Sequence, residues 1–216
     1  ENITMSLPPV EIPLGAMRFN SDSQKLEYFN GEIWMQVHTF NPDLDGGARG
    51  CWAGGAKDPS AGNASTNAID YVTIATAGNA TDFGDLTESK NQIAGAGSKV
   101  RGYCLGGGNH PTNNRLNTIE YITFSSTGNG TDFGDLNTTN ASEKSRMSAA
   151  NSETRAVTTG SISADYNTMW YITMATSGTG LDFGDSTFKR ENPAACSSPT
   201  RMISAGGSDG GSTNYN

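Results

Sequence analysis

Residues 69–74 alternate in a telling way: Ile69, Tyr71 and Thr73 fall on one face of an extended chain, Val72 and Ile74 on the other. A strand apolar on both faces is expected to be covered on both faces. The pattern returns as Ile119/Tyr121 against Ile122/Phe124, and again as Met169/Tyr171 against Ile172/Met174, at intervals of 50 residues. Asn67, Asn117 and Asn167 open the three copies, and Gly78, Gly128 and Gly178 break them at matching places. Asp-Phe-Gly-Asp then follows each time, at 82–85, 132–135 and 182–185. Agreement at this many positions defines a repeat protein.

Each repeat also begins alike. Arg49, Arg101, Arg155 and Arg201 each stand five residues before a glycine, at Gly54, Gly106, Gly160 and Gly206. A polar loop of variable length follows, then the strand of Tyr71, Tyr121 or Tyr171, the Asp-Phe-Gly-Asp segment, and a strand of small residues such as Gln92–Ala96. Four short strands in about 50 residues is the period of kelch-type propeller blades. The expected fold is therefore all-β, with kelch-like four-stranded units at 49–100, 101–154 and 155–200 and a partial fourth at 201–216. In this reading Phe83, Phe133 and Phe183 anchor the units. Asp82, Asp85, Asp132, Asp135, Asp182 and Asp185 bond turn backbone or pair with the recurrent arginines. Three units fall short of the four to eight that close a ring. Completion by other copies, a trimer being favoured, is the expectation that avoids open sheet edges; a trimeric stack of units and a fragment of a longer propeller are the alternatives.

The N-terminal part reads differently. Residues 1–14, with Pro8, Pro9 and Pro13, suggest an extended arm. Residues 15–38 suggest a three-stranded meander: a strand at 16–19, a second at 25–29, the hairpin signal Asn30-Gly31, and a third at 32–37. So small a sheet buries little by itself and needs something to pack on. Residues 39–48, with Pro42 and Gly46-Gly47, read as a linker.

The run Gly15-Ala16-Met17-Arg18-Phe19-Asn20, followed by Lys25-Leu26-Glu27-Tyr28-Phe29-Asn30-Gly31 and Trp34, resembles a module of tailed-phage virion proteins, especially fibre, neck and head-decoration proteins of marine phages including cyanophages. The resemblance spans about residues 14–37. It implies an N-terminal part that assembles with other virion proteins, with Phe19, Tyr28, Asn30, Gly31 and Trp34 in the assembly module. The Gly pair, the aromatic strand and the later aromatic before a Leu likewise resemble kelch repeats. The third copy departs from that pattern: Thr159-Gly160-Ser161 replaces the Gly pair, and Ser186 stands where Leu86 and Leu136 stand.

Composition narrows the function. Leu, Ile, Val and Phe fill 33 of 216 positions, which is low for a self-sufficient core and fits stability drawn from stacked neighbours. The net charge of −8 without a Lys/Arg cluster lacks the footprint of a nucleic-acid or anionic-membrane binder. No apolar run is long enough for a transmembrane helix, and no secretory signal is visible.

Candidate chemistry is sparse. The three Asp-Phe-Gly triplets lack every other kinase element. Asp82/Asp85 and their copies bracket turns in a way that suits Ca²⁺, so a structural Ca²⁺ is the single cofactor considered; Asp43-Leu44-Asp45-Gly46 lacks the late Glu of a calcium loop. His38 and His110 lie too far apart to suggest a metal pair, and Cys51, Cys104 and Cys196 read as buried strand fillers, a disulfide between two of them staying open. Asn2, Asn63, Asn79, Asn129, Asn137 and Asn140 start N-x-[ST] sequons, as expected of an Asn/Thr-rich chain. Loops after the glycine pairs vary over a constant frame, as binding surfaces do. The expectation is a non-enzymatic virion structural protein, assembled in the host cytoplasm, that associates with itself and other virion proteins and exposes repeat surfaces for host or glycan contact. The rivals are a secreted adhesin or carbohydrate-binding propeller, and behind them a propeller-type enzyme.

Overall fold

The computed structural model describes residues 11–21, 25–37, 49–57, 64–112, 114–136, 145–162 and 167–209. The protein is all-β, with sixteen strands among the described residues. It divides into two units, Glu1–Pro42 and Asp43–Asn216. The first holds β1 (Met17–Asn20), β2 (Lys25–Phe29) and β3 (Trp34–Gln36), paired antiparallel in that order. Asn30 makes the predicted turn: its side-chain oxygen accepts the Glu32 and Ile33 N–H groups at 3.0 and 2.8 Å, and Gly31 takes a φ of +100°.

The second unit contains the repeats as successive antiparallel meanders. The first sheet is β4 (Arg49–Ala53), β5 (Ala68–Thr73) and β6 (Thr81–Asp85). The second is β7 (Ala94–Gly97), β8 (Arg101–Asn109), β9 (Asn114–Thr123) and β10 (Thr131–Asp135). The third is β11 (Ser148–Asn151), β12 (Arg155–Thr159), β13 (Thr168–Thr173) and β14 (Leu181–Asp185). A two-stranded sheet, β15 (Ala194–Ser197) with β16 (Met202–Ala205), ends the series.

The sheets are phased differently from the sequence units. The small-residue strand opens the following sheet: β7 pairs with β8, from Ala94 opposite Leu105 to Gly97 opposite Gly102. The cause is a tight serine turn. Ser98 Oγ accepts the Val100 and Arg101 N–H groups, at 3.3 and 3.1 Å, and the Ser98 N–H donates to the Arg101 carbonyl. Ser152 and Ser198 repeat this turn before Arg155 and Arg201. A connection this short forces the flanking strands together, whereas the longer link from β6 to β7 bends away through Gln92 at a φ of +54°.

The core lies between sheets. Ile69, Phe83 and Leu86 of the first repeat pack on Cys104 and Ile122 of the second sheet. On the second sheet's other face, Tyr103, Leu105, Ile119 and Phe133 pack with Leu136 against Ala156, Ile172 and Met174 of the third. The two-faced pattern of β9 thus matches its place between neighbours. The outermost faces are open: Trp52 and Ile74 of the first sheet and Phe183 of the third are more than half exposed or at half, at 59, 68 and 50%.

Candidate functional site

The Asp-Phe-Gly-Asp segment is a β-bulge. In β10, Asp132 faces Glu120 and Gly134 faces Ile119, so Phe133 is the extra residue. The register shifts at the same place in the first and third sheets. Asp132 and Asp182 accept the N–H of Gly134 and Gly184 at 3.1 and 2.7 Å, holding each bulge. For Asp132 and Asp182 the bond is to turn backbone, one of the two roles the sequence offered the six aspartates. Among the described residues no group of three or more His, Cys, Asp or Glu side chains is placed to share a metal ion.

The recurrent arginines lie over aromatic rings. Arg49, Arg101 and Arg155 stack on Tyr71, Tyr121 and Tyr171, with the guanidinium carbon 4.9, 4.3 and 4.9 Å from the ring centre. Each tyrosine in turn meets the bulge phenylalanine edge to face, at 5.8, 6.2 and 6.0 Å. Arg–Tyr–Phe is therefore one stack repeated three times. Arg201 sits after the Ser198 turn, and the segment after β16 that would bring an aromatic partner lies outside the described residues.

Consecutive sheets are joined through this bulge. The Gly128 and Gly130 N–H groups donate to the Phe83 and Asp85 carbonyls at 2.8 and 2.7 Å, and Asn129 Oδ1 accepts the Asp85 N–H. In the next joint Gly178 and Gly180 donate to Phe133 and Asp135 at 2.9 and 2.7 Å. Side chains add a second tie: Arg49 donates to the Phe124 carbonyl, and the Tyr103 hydroxyl to the corresponding Met174 carbonyl. Lys90, fully buried, reaches Glu120 at 2.5 Å and Thr118 Oγ1 at 2.9 Å, while Glu120 Oε2 accepts the Thr87 N–H. His110 belongs to these ties through its backbone, which exchanges hydrogen bonds with Ser65; His38 lies outside the described residues.

The serine turns at 98–99, 152–153 and 198–199, with Arg49 and Phe124, line a groove of about 620 Å³. Their tips differ, Lys99, Glu153 and Pro199, on a constant frame. This surface went unread in the sequence, although Ser-x-x-Arg at Arg101, Arg155 and Arg201 is its signal. The variable loops after the glycine pairs fall largely at 58–63 and 163–166, outside the described residues, as do the sequons at Asn2, Asn63, Asn137 and Asn140.

The cysteines need one correction. All three are free thiols; Cys104 is buried and Cys51 half-buried in the first joint, but Cys196 is exposed, in a sheet that has only two strands among the described residues.

In the N-terminal unit, register places Met17, Tyr28 and Met35 abreast and Phe19 beside Leu26. Side chains alternate across a sheet, so these five share one face. All are exposed, Met17 and Phe19 most of all at 62 and 66%. The opposite face is knit together: Arg18 lies 4.1 Å over the Trp34 ring and bonds the buried Glu27 at 2.9 Å, Asn20 bonds the same carboxylate, and Phe29 touches Trp34. Of the assembly residues, Phe19 and Tyr28 thus stand on the open face, Trp34 on the closed one, and Asn30 and Gly31 in the turn. No family model matches the chain, and no curated protein matches it.

Proposed function

We propose that this chain is a non-enzymatic structural protein of a tailed-phage virion, a fibre, neck or head-decoration component that assembles through its N-terminal sheet. One observation carries the reading: the fully apolar, exposed face of Met17, Phe19, Leu26, Tyr28 and Met35. A three-stranded sheet with its apolar side in water is marginal by itself, and such a patch marks a contact surface. The closed Arg18–Glu27–Trp34 face keeps the sheet in shape while the open face meets other copies, in a trimer, or other virion proteins. The kelch-like repeats then form the exposed surface, with the groove at the serine turns available to host surface glycans.

The rival is a secreted adhesin, favoured by that same groove. Antibodies raised against the chain and applied to density-banded particles and to cells of the source culture separate the two. Gold label on tailed particles is the expected result. Label confined to cell surfaces overturns the virion reading.

A further inference from the structure

Successive links between sheets lie against one another in the same way. The Arg146 N–H donates to the Gln92 carbonyl at 3.3 Å, and the Asn192 N–H to the Arg146 carbonyl at 2.8 Å. All three take a positive φ, at +54° for Gln92, +60° for Arg146 and +50° for Asn192. Gln92, Arg146 and Asn192 thus hold one place in the three links, and Asn91, Ser145 and Glu191 hold the place before it. What fills the space between links differs. Between the second and third, Arg146 Nη1 meets Glu191 Oε2 at 3.0 Å, and Ser208 Oγ donates to the other carboxylate oxygen at 3.4 Å. Between the first and second, the counterparts of that ion pair are Gln92 and Ser145, which are shorter and uncharged. A cavity of about 200 Å³ opens there.

Its lining is basic and rich in amides. Arg115 and Arg146 line it together with Asn91, Asn109, Asn114 and His110. Among the described residues no acidic one does, in a chain whose net charge is −8. His110 adds an independent observation. Its Nδ1 is buried without a hydrogen-bond partner, although its backbone is held on both sides by Ser65. Buried polar atoms ordinarily have a partner.

These groups define the chemistry they can meet. A guanidinium carries five donors in a fork that matches a carboxylate, so one bond to Glu191 leaves Arg146 donors for a second. Asparagine amides both donate and accept, which suits hydroxyls. At about 30 Å³ per water the cavity has room for about seven waters, enough for one sugar ring and too little for two. A bare phosphate or acetate would leave most of the amides unmet.

We propose that this cavity binds one carboxylated sugar ring, a hexuronate standing as the terminal residue of a glycan. Its carboxylate takes the charge of Arg115 and Arg146, as Glu191 does in the next joint, and its hydroxyls meet the asparagine amides and His110. The site is separate from the groove at the serine turns. The inference rests on the reading of the repeats as a glycan-contacting surface.

The probe is sodium glucuronate, titrated into the ¹⁵N-labelled full chain and followed by the amide shifts of Asn109, His110 and Arg115. Saturable one-site shifts are expected, with glucose and inorganic phosphate at least tenfold weaker. A disaccharide ending in glucuronate should bind at least as tightly as the free acid. Gln92→Glu adds a negative charge at an exposed position without changing side-chain shape. It should weaken glucuronate at least tenfold while circular dichroism and melting point stay at the wild-type values, and Arg115→Gln should weaken it likewise. No saturable shift, equal binding of glucose, or undiminished binding by the folded Gln92→Glu chain overturns the proposal. Phosphate binding as tightly as glucuronate overturns the sugar, and exclusion of the disaccharide overturns the terminal residue. None of these results bears on whether the chain is found on particles, so the two readings fail separately.

Discussion

Gly134 faces Gly178 so closely that a β-carbon on Gly134 would stand 2.3 Å from the Gly178 carbonyl oxygen. The approach is what lets the Gly178 N–H reach Phe133, so glycine at the bulge is a requirement of the joint between sheets as well as of its own φ of +137°. Gly184 has the same bulge conformation, at +116°, with open space beside it. Gly184→Ala should therefore lose only the backbone strain, about 1–3 kcal/mol. Gly134→Ala adds the clash, a further 1–3 kcal/mol on the order of an overpacked core. Urea unfolding of both variants checks this. Equal losses would mean that the joint is not held by backbone approach.

The Lys90–Glu120 pair makes a separate prediction. Both side chains are buried, at 0 and 1% exposure, and they connect the link after the first bulge to β9. Lys90→Met leaves a carboxylate buried without its cation and should cost about 3–5 kcal/mol. Adding Glu120→Gln removes the stranded charge yet retains an acceptor for the Thr87 N–H, so the double variant should regain most of that loss. Because the pair is out of solvent, the cycle should change little between low and high salt. Strictly additive losses would contradict the pairing.

The repeat, the all-β class and the two covered faces of β9 were legible because they rest on local alternation; in the first copy the Ile74 face is open, because no sheet precedes it among the described residues. Ile119 and Ile122 point to opposite neighbours whatever those neighbours are. Sheet phasing was harder. The small-residue strand lies between two repeats, and which one it pairs with depends on the Ser98 turn, a two-residue detail that composition hides. The arginine–tyrosine stack went unread: the sequence set the aspartates against turn backbone or the arginines, and it is the diagonal register of β8 with β9 that lays Arg101 over the Tyr121 ring. Ser186 looked like an irregular repeat. In the fold it occupies the place of the fully buried Leu136, at the end where no complete sheet follows among the described residues.

Glu27 gives the N-terminal sheet a pH dependence. The Asn20 amide, and after it Arg18, hold its carboxyl below the ordinary value of 4.5. A depressed acid contributes stability that is present above the unfolded-state value and is lost as pH falls through the folded one. Melting of the sheet, followed by the fluorescence of Trp34 beneath Arg18, should therefore weaken below about pH 4.5. Glu27→Gln should melt earlier than wild type at pH 7 and converge with it in acid. A constant gap across that range would remove Glu27 as the cause.

The thiols should separate cleanly in reactivity. Burial pushes Cys104 up to about 12 and also raises Cys51, where the Arg49 charge partly opposes it; Cys196 is exposed. Only the thiolate attacks a disulfide reagent. At pH 8 a thiol of that acidity is about one part in 10⁴ ionised. An aromatic disulfide added to the native chain should therefore modify Cys196 first, Cys51 more slowly, and Cys104 at the rate at which the first joint opens. Denaturant below the unfolding midpoint should accelerate the last step alone. Labelling of Cys104 as fast as Cys196 in the folded chain would show that the face between the first two sheets is open to solvent, and with it that the Phe83–Gly128 joint is not formed.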